Sequence, residues 1–171
     1  MANGRLYGVG VGPGDPELLT LKAERILKSV SVICMPQSET SSESFAYTIA
    51  QGFIDSEAQE IMRISFPTDD EEGASQAWQD AADEIAVRLR NGSDVAFITE
   101  GDPMLYSTFS YVLESLRGKH PDLEIEVVPG VSSVMAAAAS ASVPLVTHGQ
   151  RLAILPAVYG IDDLREAIAN Y

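Results

Sequence analysis

One cysteine, Cys34, and two histidines, His120 and His148, are all that the 171 residues offer to a soft metal or a thiol redox couple. A lone thiol excludes an intramolecular disulfide, and no spaced Cys/His set is present to hold zinc. This points to a reducing compartment, the cytoplasm. Cations are scarce as well: 11 Lys plus Arg stand against 25 Asp plus Glu, for a formal charge of −14. They are scattered singly, so the basic stripe that displaces counterions from nucleic acid is missing, and RNA and DNA are set aside as partners. Long apolar runs are absent too. The longest, Val134 to Ala139, falls far short of the roughly 20 residues of a membrane span. The start of the chain lacks the basic region and cleavage site of a signal peptide. Neither membrane nor export is expected.

What is present is a composition of 46% hydrophobic and 21% charged residues, the balance of an ordered chain able to bury a core. Leu6 to Val11 reads as a buried strand and Val30 to Met35, closed by Pro36, as a second; Leu19, Ala23, Ile26 and Leu27 recur between them at helical spacing. Phe45 to Phe53 predicts another helix, Ile61 to Ile64 a short strand, Asp69 to Gly73 a solvated loop, and Ala77 to Leu89 a third helix. Asn91-Gly92 stops that helix before the buried strand Val95 to Thr99, and Phe109 to Leu116 is helical again. A polar linker is expected at Arg117 to Asp122. Beyond it come a strand (Ile125 to Val128), an alanine-rich helix through Ala141, a strand (Arg151 to Leu155) and a helix (Ile161 to Ala169). The alternation implies an α/β fold with a mostly parallel sheet, whose ligands sit beyond the C-terminal ends of the strands.

Three of those ends carry glycine-rich polar turns. The first, Gly8-Val9-Gly10-Val11-Gly12-Pro13-Gly14-Asp15, misses the dinucleotide fingerprint, because Pro13 or Asp15 falls where the third glycine belongs. It admits a ligand close to backbone, or is simply a tight turn in which Asp15 caps the next element. The second, Glu100-Gly101-Asp102-Pro103, offers carboxylates to a ribose diol or an ammonium group; equally, Asp102 caps a helix that opens with Pro103. The third, Pro129-Gly130-Val131-Ser132-Ser133, presents hydroxyls and amides, or Ser132 caps the next helix. No Gly-x-Ser-x-Gly is present, the histidines read as surface residues, and Cys34 sits inside an apolar strand. Such an inventory suits a reaction that works by holding two reactants in line.

In combination the three turns are specific. Leu6 to Ala23 with its Gly8-Val9-Gly10-Val11-Gly12-Pro13-Gly14-Asp15-Pro16-Glu17 core, Gly101-Asp102-Pro103-Met104-Leu105-Tyr106-Ser107-Thr108, and Pro129-Gly130-Val131-Ser132-Ser133 resemble the signature segments of the tetrapyrrole (corrin/porphyrin) methylases. The second segment and Arg151-Leu152-Ala153-Ile154-Leu155-Pro156-Ala157 are most similar to the precorrin-2 C20-methyltransferases.

The resemblance implies a two-domain fold: an N-terminal α/β domain over residues 1–118, and over 119–171 the start of a second α/β domain, incomplete relative to the family. It implies a homodimer of cobalamin biosynthesis that transfers the methyl of S-adenosylmethionine, leaving S-adenosylhomocysteine, to C20 of precorrin-2 or cobalt-precorrin-2. Carried over by position, Pro13, Glu100, Gly101, Asp102, Leu105, Ser132 and Ser133 bind the cofactor. Asp15, Tyr106, Ser107 and Thr108 face the tetrapyrrole, and no catalytic residue or metal ligand is implied. The acidity of the chain requires local cations such as Arg63 or Arg151 to meet the substrate's carboxylates. Other readings are another tetrapyrrole methylase, such as a uroporphyrinogen-III methyltransferase, or a non-catalytic ligand-binding domain.

Overall fold

The computed structural model describes residues 2–38, 43–67 and 71–156, with 164–165 and 168–169. The chain divides into two compact units, Met1–Ser133 and Val134–Tyr171. In the first, five strands, β1 (Leu6–Gly10), β2 (Val32–Ser38), β3 (Glu60–Phe66), β4 (Val95–Thr99) and β5 (Ile125–Val128), form one sheet in the order β3-β2-β4-β1-β5. Every strand pairing in it is parallel. Each crossover therefore needs a helix, and these are α1 (Leu21–Leu27), α2 (Phe45–Ala50), α3 (Glu71–Arg90) and α4 (Phe109–Lys119). Among the described residues no helix is long and apolar enough to cross a membrane.

The period-two alternation of the strands sorts side chains between the two helical layers. Val9, Val11, Ile33, Met35, Ala96, Ile98 and Val128 pack with Ala23, Ile26 and Leu27 of α1 and with Ala46 and Ile49 of α2. On the other face Leu6, Val32, Cys34, Met62, Ile64, Val95 and Phe97 pack with Trp78, Ile85 and Leu89 of α3 and Phe109 and Leu116 of α4. All five residues of β4 are buried, as a central parallel strand covered on both faces requires. Each large apolar side chain so enclosed contributes about 1.5–3 kcal/mol.

Several boundaries differ from the sequence reading. β2 runs through Pro36 to Ser38 rather than stopping before it, because its pairing with β4 ends at Cys34 and only the β3 side continues; a residue without an N–H is tolerated where one edge is unpaired. α3 begins at Glu71, so residues 71–73 of the expected loop are helical, while Asp69 and Asp70 lie outside the described residues. Past the expected linker, β5 joins β1 in the first sheet, and the first compact unit extends to Ser133 rather than ending near residue 118. Arg5 ion-pairs with Glu124 and Glu126 beside that pairing, and Lys22 of α1 reaches Glu126 at 2.6 Å.

The second unit takes up all but the first residue of α5 (Ser133–Ala141), no residue of which is buried. Ser142, at φ 55°, ends that helix, with the Val143 N–H donating to the Ala138 carbonyl. Residues 151–155 are not a strand: they have no ladder partner among the described residues, and an isolated extended segment has nothing to hold it. The helix expected over Ile161 to Ala169 falls largely outside the described residues.

Candidate functional site

Within the first unit, the C-terminal ends of β1, β4 and β5 lie side by side, since β1 pairs with both of the others. The first and second turns are joined by a two-way bridge: the Gly101 N–H donates to the Gly12 carbonyl at 2.7 Å, and the Gly12 N–H to that of Gly101 at 3.4 Å. Both glycines have positive φ, 85° and 64°, a backbone that L side chains rarely adopt. The third turn comes closer still. A Cβ on Gly130 would sit 2.0 Å from the Gly101 carbonyl oxygen and 2.9 Å from the Gly10 Cα. Three loops can approach this closely only through glycine, and the result is a cluster of backbone polar groups at the strand ends.

Asp102 ties the cluster. Its Oδ1 accepts the Met104 N–H at 2.9 Å and its Oδ2 accepts the Gly130 N–H at 3.0 Å, joining the second turn to the third. It caps a turn and not a helix, because α4 starts only at Phe109. Asp15 does cap, its Oδ1 taking the Glu17 N–H at 2.9 Å at the head of a 3-10 turn, and Thr20, not among the expected caps, holds the start of α1 through Ala23. Glu100 is exposed and forms no ion pair among the described residues. Pro13, Leu105 and Ser132 are half-buried and Ser133 is exposed.

Of the residues expected to face the tetrapyrrole, Tyr106 is 66% exposed while Ser107 is buried. The Ser107 hydroxyl is engaged by that of Thr99 at 2.9 Å and by the Phe109 N–H at 3.1 Å. Tyr106, Ser107 and Thr108 share a cavity of about 260 Å³ with Gln37, Phe45 and Thr99. A larger one, about 810 Å³, lies between α3 and α4 around Phe66, Trp78 and Tyr111. The smaller cavity borders the C-terminal ends of β2 and β4, with Gln37, Thr99 and Glu100 among its lining residues. Thr99, Gln37 and Phe45 are not among the expected site residues; Thr99 carries one signal, a polar residue closing an apolar strand, and Gln37 and Phe45 carry none comparable. Arg63 sits midway along edge strand β3 and, like Arg151, forms no ion pair among the described residues. His120 is not a free surface base: its Nε2 meets Asp83 at 2.9 Å and its Nδ1 faces the Arg90 guanidinium at 3.1 Å. Burial raises the Cys34 thiol well above its usual range, so it is no nucleophile.

A parallel α/β sheet with a polar glycine cluster beyond its strand ends defines the class of α/β proteins whose fold offers a ligand site at that edge. The sequence profile of the Tetrapyrrole (Corrin/Porphyrin) Methylases matches residues 5–171, and the chain belongs to that family. It is 43% identical over 153 residues to a probable cobalt-precorrin-2 C(20)-methyltransferase of Methanocaldococcus jannaschii, an alignment covering 89% of this chain and 64% of that protein. It is 32% identical over 170 residues to the cobalt-precorrin-2 C(20)-methyltransferase of Salmonella typhimurium, covering 99% and 70% respectively. The crystal structure of uroporphyrin-III C-methyl transferase from Thermus thermophilus, complexed with S-adenosylhomocysteine, superposes with a TM-score of 0.53 at 29% identity, over 85% of this chain and 51% of that one. The chain thus spans about two thirds of the length of these curated relatives.

Proposed function

We propose that this chain serves S-adenosylmethionine-dependent transfer of a methyl group to C20 of precorrin-2 or its cobalt-containing counterpart, in cobalamin synthesis. The observation that carries the reading is the junction of the three turns, where Gly10 and Gly130 pack against the Gly101 carbonyl too closely for any side chain. The side chains around it suit this cofactor. Glu100 offers a carboxylate to a ribose diol or an ammonium group, Ser132 and Ser133 offer hydroxyls, and Pro13 and Leu105 offer apolar flanks. A net charge of −14 favours a cationic ligand. When bound, the cofactor supplies a methyl already activated on a positive sulfur, so this chain needs no nucleophile of its own. The work of its residues is orientation, which is worth on the order of 7–11 kcal/mol in an aligned pair of reactants.

On the tetrapyrrole side, Tyr106 and Thr108 form the wall of the smaller cavity, and Asp15 meets the substrate from the first turn. Ser107, its hydroxyl already engaged, shapes that wall from beneath. The substrate's carboxylates need cations, and within the first unit Arg63, which forms no ion pair among the described residues, is one candidate. Homodimeric assembly and a cytoplasmic setting belong to the same reading. Calorimetry with S-adenosylmethionine tests it: the unsubstituted protein binds, and Glu100→Gln binds at least tenfold more weakly, about 1.4 kcal/mol for one charge-assisted hydrogen bond. Equal affinity of the two proteins removes Glu100 from the site.

A further inference from the structure

The nine residues between β4 and α4 are pinned at two places. At the near side the Asp102 carboxylate holds Met104, and the Leu105 N–H donates to the Asp102 carbonyl at 3.2 Å. At the far side Ser107 is fixed by the hydroxyl of Thr99, by the Phe109 N–H, and by the Ser110 hydroxyl, which donates to its carbonyl at 2.7 Å. Thr99 and Ser107 are 4% and 7% exposed, so this pair is shielded from competing water. Tyr106 is the residue between the two anchors, and its φ is 50°. That is left-handed backbone on an aromatic residue, a conformation that persists only when the surroundings over-determine it.

We propose that Thr99, through its buried bond to Ser107, is a positioning residue that holds Tyr106 in the left-handed conformation against the strand-end cavity, and so sets how firmly the tetrapyrrole is gripped. The inference rests on the reading that this cavity takes an edge of the tetrapyrrole. Thr99 closes the base of the loop, Ser107 passes the constraint along one peptide, and Tyr106 is left the single conformation that joins the two fixed ends. A relaxed Tyr106 would swing its ring away from Gln37 and Thr108 on the same cavity.

The test is a cycle of thermal midpoints with two binding measurements. In the unsubstituted background Tyr106→Gly is expected to melt higher than Tyr106→Ala, because only glycine is unstrained at this φ. In the Thr99→Val background that gap closes, and in Thr99→Ser it is kept. Precorrin-2 affinity falls on the order of tenfold in Thr99→Val, the scale of one lost buried hydrogen bond, and returns in Thr99→Ser, while S-adenosylmethionine affinity is unchanged in both. A Gly/Ala gap that persists in Thr99→Val overturns the positioning role, and so does an unmoved precorrin-2 affinity. Failure of the unsubstituted protein to bind precorrin-2 refutes the tetrapyrrole half together with the proposed function, and the melting cycle still decides whether Thr99 holds Tyr106.

Discussion

Asp102→Ala separates the contributions at the junction of the three turns. The carboxylate accepts two backbone N–H groups, from Met104 at 2.9 Å and Gly130 at 3.0 Å. The Met104 bond is exposed, so water replaces the lost acceptor at little cost. The Gly130 N–H is part-buried beneath the Gly101 carbonyl, and leaving it unsatisfied costs about 1–3 kcal/mol. The expected loss is therefore about 2 kcal/mol, which for a chain of this size lowers the melting midpoint by roughly 4–8 °C. Asp102→Asn keeps one acceptor oxygen but turns an amide N–H toward one of the two donors, so it recovers only part of that loss. Urea unfolding measures the stability, and hydrogen exchange at the Gly130 amide locates it: protection of that amide falls in Asp102→Ala without any ligand present. S-adenosylmethionine binding falls with it, because the third turn no longer rests on the second. A Gly130 amide that exchanges as slowly in the variant as in the unsubstituted protein refutes the reasoning, leaving Asp102 to act by direct contact alone.

The same contacts carry further expectations. Gly130→Ala forces a Cβ to 2.0 Å from the Gly101 carbonyl and is expected to cost about 3 kcal/mol or more, at or above the top of the roughly 1–3 kcal/mol of ordinary overpacking; a melt within about a degree of the unsubstituted protein contradicts the close approach. Hydrogen bonds from Lys119 and then His120 hold the Asp83 carboxyl below its ordinary value of 3.8. The stability from this exposed cluster is thus present above that value and lost as pH falls through the lower folded one. Asp83→Asn should remove that part of the acid dependence, and identical pH–stability curves for the two proteins refute the assignment. Cys34, fully buried with a raised thiol pKa, should be alkylated only as fast as the domain opens; rapid labelling under native conditions contradicts the packing around it.

The sequence was most readable where one local signal decided the structure. The apolar run Val95 to Thr99 bounded by Asn91-Gly92 and Glu100-Gly101 leaves no other option than a buried strand, and β4 has those limits. The three glycine turns were identifiable because each follows such a strand. What the sequence did not show was how the turns meet. That Asp102 reaches Gly130 depends on β5 pairing with β1, a contact between residues more than a hundred positions apart. Pro36 misled as a strand terminator because the consequence of a missing N–H depends on which neighbour is present, and Arg151 to Leu155 because a strand-like pattern is only realised against a partner. His120 looked exposed in its polar context, yet helices α3 and α4 bring Asp83 and Arg90 to both of its ring nitrogens.

Incubation of the protein with S-adenosylmethionine labelled with carbon-13 in its methyl group, together with precorrin-2, followed by NMR of the tetrapyrrole, decides whether the chain is a C20-methyltransferase. One labelled methyl on C20 is the predicted result. A methyl on any other carbon would place the chain with a different tetrapyrrole methylase activity, and no transfer despite bound S-adenosylmethionine would contradict the account in favour of a ligand-binding domain without turnover.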